Sequence, residues 1–220
     1  MVSKTLSGAW ALFALSLLAA AGITITFCIL WGLPNMIVHF VVDSSFLTAG
    51  LGLGISYAIT FVIAVIAIVQ PNHITMGLAA LNWILLLEAL FTTVLGTIIW
   101  FFTLRERTMY ETKWLSATPE VRIAIQDKFQ CCGYFASNET NLATGGFCVD
   151  STFATNLNTP CVGPLVNYAD YTLNNIFTSI YGYMAIVIGL FLATVCVINK
   201  RIEAERFRKI DAKRGGKGFV

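Results

Sequence analysis

Apolar residues dominate four long windows of this chain, at about residues 9–31, 46–69, 75–104 and 177–198. At 1.5 Å of helical rise per residue, windows of this length match or exceed the roughly 30 Å hydrocarbon core of a bilayer, so each is expected to be a membrane-spanning helix. The stretches between them are unequal: residues 1–8, 32–45, 70–74, 105–176 and 199–220. Gln70-Pro71-Asn72-His73 is a tight turn, which makes the second and third spans antiparallel neighbours. Lys4 ahead of the first run and Ala19-Ala20-Ala21 within it also fit a cleaved signal peptide, but the run continues ten residues further, as in an uncleaved anchor. Trp10 and Trp31 at its two ends fit interfacial anchoring.

Inside the long polar segment the period changes. Thr118-Pro119-Glu120 reads as a helix start, with Thr118 as cap and Pro119 at the first helical position. Val121, Ala124, Ile125 and Phe129 then recur at helical spacing and lead into Cys131-Cys132-Gly133-Tyr134. Pro164 opens a second run with Leu165, Tyr168, Leu173 and Ile176 on one face. Two amphipathic helices bracketing a cysteine-rich stretch make a small domain that needs staples.

Composition sharpens this picture. Apolar residues make up 57% of the 220 and charged residues only 12%, an apolar share above that of ordinary soluble domains. Charge is bunched: residues 199–220 hold eight Lys or Arg against three acids, and residues 105–175 hold five against seven. Positive-inside counting therefore puts Lys4 and the tail in the cytosol and the long segment outside, since a loop of about seventy residues translocates largely regardless of its charge. The basic tail follows a span directly, so anionic inner-leaflet lipid is its expected partner, and nothing resembles a nucleic-acid footprint.

Four of six cysteines (Cys131, Cys132, Cys148, Cys161) lie in the polar segment. An even cluster there suggests disulfides in an oxidising compartment. A four-thiolate zinc site is the rival, disfavoured because adjacent Cys131 and Cys132 suit tetrahedral coordination poorly. Four cysteines allow three pairings; a bridge between neighbours is strained, so Cys131 and Cys132 should reach different partners, which the residues alone do not choose.

Four spans, a short first loop, and a large loop between spans three and four that carries Cys131-Cys132-Gly133 with two later cysteines resemble a tetraspanin over nearly the whole chain. Claudins, the nearest confusion, place their large loop between spans one and two. The resemblance implies an all-α four-helix bundle with a small disulfide-stapled helical extracellular domain. It implies pairing of Cys131 with Cys161 and of Cys132 with Cys148, with residues 134–160 carrying partner recognition, although a solvated loop without a ligand is the plainer reading of that stretch. Gly133 would supply the backbone freedom for the turn. Asn138-Glu139-Thr140 is the chain's one N-glycosylation acceptor and falls in this loop. The compact form is more similar to fungal tetraspanins than to animal ones, and those are associated with polarised growth and host penetration.

Glu88 lies near the middle of the third span, about twenty ångströms along the helix from Thr75. A carboxyl there should face the bundle interior. Tetraspanins place a polar residue in span three and can enclose a sterol-sized cavity, so Glu88 and Asn82 are assigned to interhelical hydrogen bonding or to lining a cavity for a sterol or lipid; no other cofactor or metal is expected. The family's polar residues in spans one and four are missing, and Thr24 and Thr26 are the nearest substitutes. Gly50, Gly54 and Ala58, at four-residue spacing, form a small-residue stripe for close packing against a neighbouring span, with self-association the lesser alternative. Cys196, four residues before Lys200, is an S-acylation candidate or a small core residue, and Cys28 is read as packing.

These features point to a non-enzymatic organiser that binds other integral membrane proteins laterally and controls their clustering or trafficking, in the plasma or an endosomal membrane, with both termini cytosolic. No nucleophile–base set or phosphate loop appears, and His39 and His73 are expected on opposite sides of the membrane. A small channel or transporter using Glu88 is the alternative from another class, although no second carboxylate, Lys or Arg in any span continues a relay. A junction protein acting in trans through the large loop is the third reading.

Overall fold

A computed structural model describes residues 4–71, 75–136 and 142–213. These residues form eight α-helices, with no strand among them beyond an isolated bridge between Gly145 and Cys148. In chain order the helices are α1 (Lys4–Trp31), α2 (Met36–Val41), α3 (Ser44–Val69), α4 (Met76–Thr103), α5 (Glu106–Ser116), α6 (Pro119–Phe129), α7 (Ser151–Leu157) and α8 (Val162–Lys213). Four of them, α1, α3, α4 and α8, are long and apolar enough to cross a membrane. The amphipathic run after Pro164, the fourth apolar window and the start of the basic tail belong to one helix of 52 residues. Pro164 falls in its first turn, where an N–H has no intrahelical acceptor to lose, and no later proline interrupts it.

The chain divides into two compact units. One is made of the described residues within Met1–Phe27, Gly50–Val94 and Ile180–Val220. Its outer faces carry large apolar side chains such as Leu15, Ile66 and Leu87, each more than half exposed, as suits a lipid-facing surface. Small residues bring its helices together. A Cβ on Gly54 would stand 2.8 Å from Ile25 Cγ1 and 3.4 Å from the Ala21 carbonyl oxygen, so α3 approaches α1 at its backbone. Gly50 and Ala58 are only half-buried. A close approach not anticipated from the sequence is that of Gly189 on α8, where a Cβ would run into the Phe13 ring.

Trp10 also differs from expectation. Its side chain is buried, and its indole N–H donates to Thr194 Oγ1 at 3.0 Å, so it links α1 to α8 instead of anchoring at an interface. A buried indole N–H needs such a partner.

The second unit comprises Cys28–Ala49 and the described residues of Leu95–Ser179. Its core gathers Phe40, Val41 and Val42 from the connector, Tyr110 and Trp114 from α5, Ile125 from α6, Tyr134, the Cys131 and Cys161 pair, and Leu165, Val166 and Ala169 from α8. Val121, Phe129, Tyr168 and Ile176 pack half-buried against it. Phe40–Val42, within the 32–45 connector, are thus part of a folded core. The Tyr110 hydroxyl donates to the Val41 carbonyl at 3.1 Å and the Lys113 ammonium to the Phe40 carbonyl at 3.2 Å, occupying two acceptors at the C-terminus of α2.

α6 begins at Pro119 as its sequence suggests, but the Thr118 hydroxyl makes no capping bond; only its carbonyl enters the helix, accepting from Arg122 N at 3.2 Å. Asp150 does cap α7, accepting from Phe153 N at 2.6 Å and from the Thr152 hydroxyl at 2.8 Å. The bond from the Phe153 N–H, aided by that hydroxyl, holds its carboxyl below the ordinary value.

Candidate functional site

The cysteine-rich turn is built from the end of α6. Gln130 closes that helix in the left-handed region at φ 53°, and Gly133 follows at φ 74°. These two reversals, the second at a residue without a Cβ to clash, place Cys131 and Cys132 toward different partners. Cys131 is bonded to Cys161 across 30 residues and Cys132 to Cys148 across 16. All four sulfurs are buried. Main-chain bonds fasten the same corner: Cys132 N to Thr159 O at 2.9 Å, Cys161 N to Gly133 O at 2.9 Å, and Val162 N to Tyr134 O at 3.0 Å. In the chain-entropy picture the separations correspond to about 3.6 and 3.1 kcal/mol when each bridge is considered alone.

Between the bridges, Gly145 (φ 130°) and Gly146 (φ 60°) turn the chain back against α6. A Cβ on Gly146 would meet the Asp127 carboxylate, which accepts from Phe147 N at 2.6 Å. Gln126, a fully buried polar residue unnoticed in the sequence, sits beneath the turn. With its amide nitrogen toward Ala143 O (2.9 Å), its oxygen accepts from Gly133 N (3.3 Å). Beyond this scaffold Val149, Phe153 and Leu157 remain exposed, an apolar fringe on the second bridge. Asn138 lies outside the described residues, as does His73.

No family model, curated protein or solved structure matches this chain.

The polar residues of the apolar helices are arranged more locally than their spacing implied. Glu88 is buried on α4, and its Oε1 accepts from the Thr60 hydroxyl of α3 at 2.6 Å. One turn along, Tyr57 and Thr92 share a hydrogen bond of 2.9 Å, and Thr92 also donates to the Glu88 carbonyl at 2.7 Å. Glu88 Oε2 has no partner among the described residues, nor has Asn82 Oδ1. The two residues are six positions apart, about 240° of helical rotation, and no bond joins them. Thr24 and Thr26 turn their hydroxyls back to Ala20 O and Gly22 O, so neither hydroxyl bonds to another helix among the described residues.

On α8, the Cys196 thiol is free and exposed, and Cys28 is free and half-buried on α1. The tail bases do not behave alike. Lys200 and Lys209 pair with Glu203 and Glu205 on their own helix, whereas Arg201 is buried and donates to Ile68 O at 2.8 Å and Gln70 O at 3.3 Å. Arg201 therefore occupies carbonyls at and just beyond the C-terminus of α3, where orphan acceptors and the helix dipole favour a cation.

Proposed function

We propose that this chain is a tetraspanin-like membrane organiser, without enzymatic activity, that binds other integral membrane proteins laterally and controls their clustering or trafficking. The observation that carries this reading is the doubly bridged Cys131-Cys132-Gly133 corner, in a polar segment inserted between the third and fourth of four apolar helices. In this reading residues 105–176 face outside the cell or an endosomal lumen, both termini are cytosolic, and the bridges hold residues 134–160 as a recognition surface. Glu88 and Thr60 tie α3 to α4 within the bilayer. Lys200, Arg206, Arg208, Lys209 and Lys213 face anionic inner-leaflet lipid, while Arg201 stays inside the fold.

The test is site-specific photo-crosslinking from Val149, Phe153 and Leu157 and, separately, from lipid-facing Leu15 and Leu87, in intact cells followed by mild-detergent extraction. Capture of one or a few integral membrane proteins at stoichiometric yield, lost when Cys132 and Cys148 are both replaced, is the expected result. Capture of nothing at both sets of positions would refute the organiser role. Proton or ion flux through liposomes containing only the purified chain, abolished by Glu88→Gln, would instead establish the channel reading.

A further inference from the structure

An open groove of about 640 Å³ runs between α2 and the α5–α6 connection, within the second unit. Met36, Phe40 and Val121 line it with apolar surface, and His39, Asp43 and Lys113 are its ionisable residues. The volume is that of a small-molecule site. Lys113 is half-buried, forms no ion pair, and spends one of three donors on the Phe40 carbonyl. Its ammonium stands 5.6 Å from the Phe102 ring centroid and 5.8 Å from that of Tyr110, a placement that favours keeping the charge. Burial pushes the ammonium below its ordinary value, and only the Asp43 carboxylate draws it back. The Asp43 side chain is exposed and forms no ion pair among the described residues.

The groove thus has a cation and an anion in its lining, near enough to feel each other's charge but joined by no ion pair among the described residues. Phe102, the ring beside the Lys113 ammonium, belongs to the last turn of α4, one of the helices long enough to cross a membrane. Met36 in its lining, and Leu33 between the lining residues Gly32 and Pro34 in the chain, are each more than half exposed.

We infer that this groove binds the headgroup of a zwitterionic phospholipid, with the phosphate on Lys113, the ammonium on Asp43, and the acyl chains leaving over Leu33 and Met36. A free anion would find Asp43 opposing it and a free cation would find Lys113, so only a ligand carrying both charges uses both. The site is independent of the organiser role and requires only that the apolar helices lie in a bilayer.

Native mass spectrometry of the full chain in detergent, titrated with dioleoylphosphatidylethanolamine or dioleoylphosphatidylglycerol, reads this directly. One phosphatidylethanolamine should be retained in preference to phosphatidylglycerol. Lys113→Met, which keeps the apolar stem, should weaken both lipids about tenfold, the scale of a charge-assisted hydrogen bond. Asp43→Asn, at an exposed position free of side-chain bonds, should weaken only the zwitterionic lipid, by about threefold. Equal retention of the two lipids by the wild type, or an unchanged preference in Asp43→Asn, overturns the assignment. Full competition by soluble glycerophosphoethanolamine also overturns it, by showing that a free polar solute is the ligand.

Discussion

Replacing Cys131 and Cys161 together with alanine perturbs the second unit at its centre, whereas the same change at Cys132 and Cys148 perturbs one corner. The first bridge closes 30 residues, about 3.6 kcal/mol of chain entropy. Both its sulfurs lie in the core with Tyr110, Trp114, Tyr134 and Leu165, so their removal leaves a void costing about 1–2 kcal/mol more. A total near 5 kcal/mol is comparable with the whole stability of a small domain. The second bridge closes 16 residues, for which about 3.1 kcal/mol is an upper limit because the outer bridge already shortens the loop. Only Ala154 is fully buried beside it, with Leu142 and Phe147 packed around. Hydrogen–deuterium exchange on the detergent-solubilised protein separates the two cases. Cys131→Ala with Cys161→Ala should remove protection from Glu106–Ser116 and Pro119–Phe129 together; Cys132→Ala with Cys148→Ala should remove it from Ser151–Leu157 and leave α5 and α6 protected. Loss of α6 protection to the same extent in both would refute this division of labour.

At Gly54, substitution by Val should destabilise by about 1–3 kcal/mol through overpacking on Ile25, while Gly52→Ala, with nothing within 4 Å of its Cβ, should not; thermal melting in detergent compares them. Arg201→Met should cost about 2–3 kcal/mol by stranding the Ile68 and Gln70 carbonyls, whereas Lys200→Met, in an exposed pair, should be near neutral in the same assay. Glu106 provides a pH dependence: burial first, then Asp170, raises its carboxyl above the ordinary 4.5, opposed by Arg107. The folded state then binds more protons than the unfolded one between the ordinary and raised values, so this contribution to stability is fully present below the ordinary value and lost as pH rises through the raised one. Denaturation of the second unit, followed by tryptophan fluorescence over that window, should show this slope flattened in Glu106→Gln.

The four long apolar helices, the start of α6 and the apolar face after Pro164 are legible because each follows from a period or a terminator within one segment. α5 was less so, since Tyr110 and Trp114, four residues apart, are its only fully buried side chains in an otherwise polar stretch. The run from Met36 to Val42 reads as a connector because seven residues between two longer apolar runs carry no sign of what will cover them; the covering residues come some seventy positions later. Arg201 shows the limit of charge counting, which assigns a side to the membrane but does not say which base is buried. Trp10 reads as an interfacial residue because its acceptor, Thr194, lies 184 positions away in the chain. At the candidate site the cysteines and Gly133 stood out by type, but Gln126 and Asp127, which hold the loop between the bridges, are ordinary helix residues in sequence.

The placement of α2 in the second unit also imposes a timetable. Val41 lies 69 residues ahead of Tyr110, and Phe40 lies 73 ahead of Lys113. At a synthesis rate of about 5–20 residues per second, α2 waits roughly 4–15 s for α5. Cys148 emerges before Cys161, so the inner bridge is able to form while Cys131 is still an unpaired thiol and a competitor for the same sulfur. The register that excludes that competitor rests on Cys132 N with Thr159 O and on Cys161 N with Gly133 O, contacts supplied by the last residues to arrive. A delay just after Cys148 lengthens the interval in which mispairing is open, so slower translation over residues 149–161 is expected to lower the share of correctly bridged protein, read by non-reducing peptide mapping.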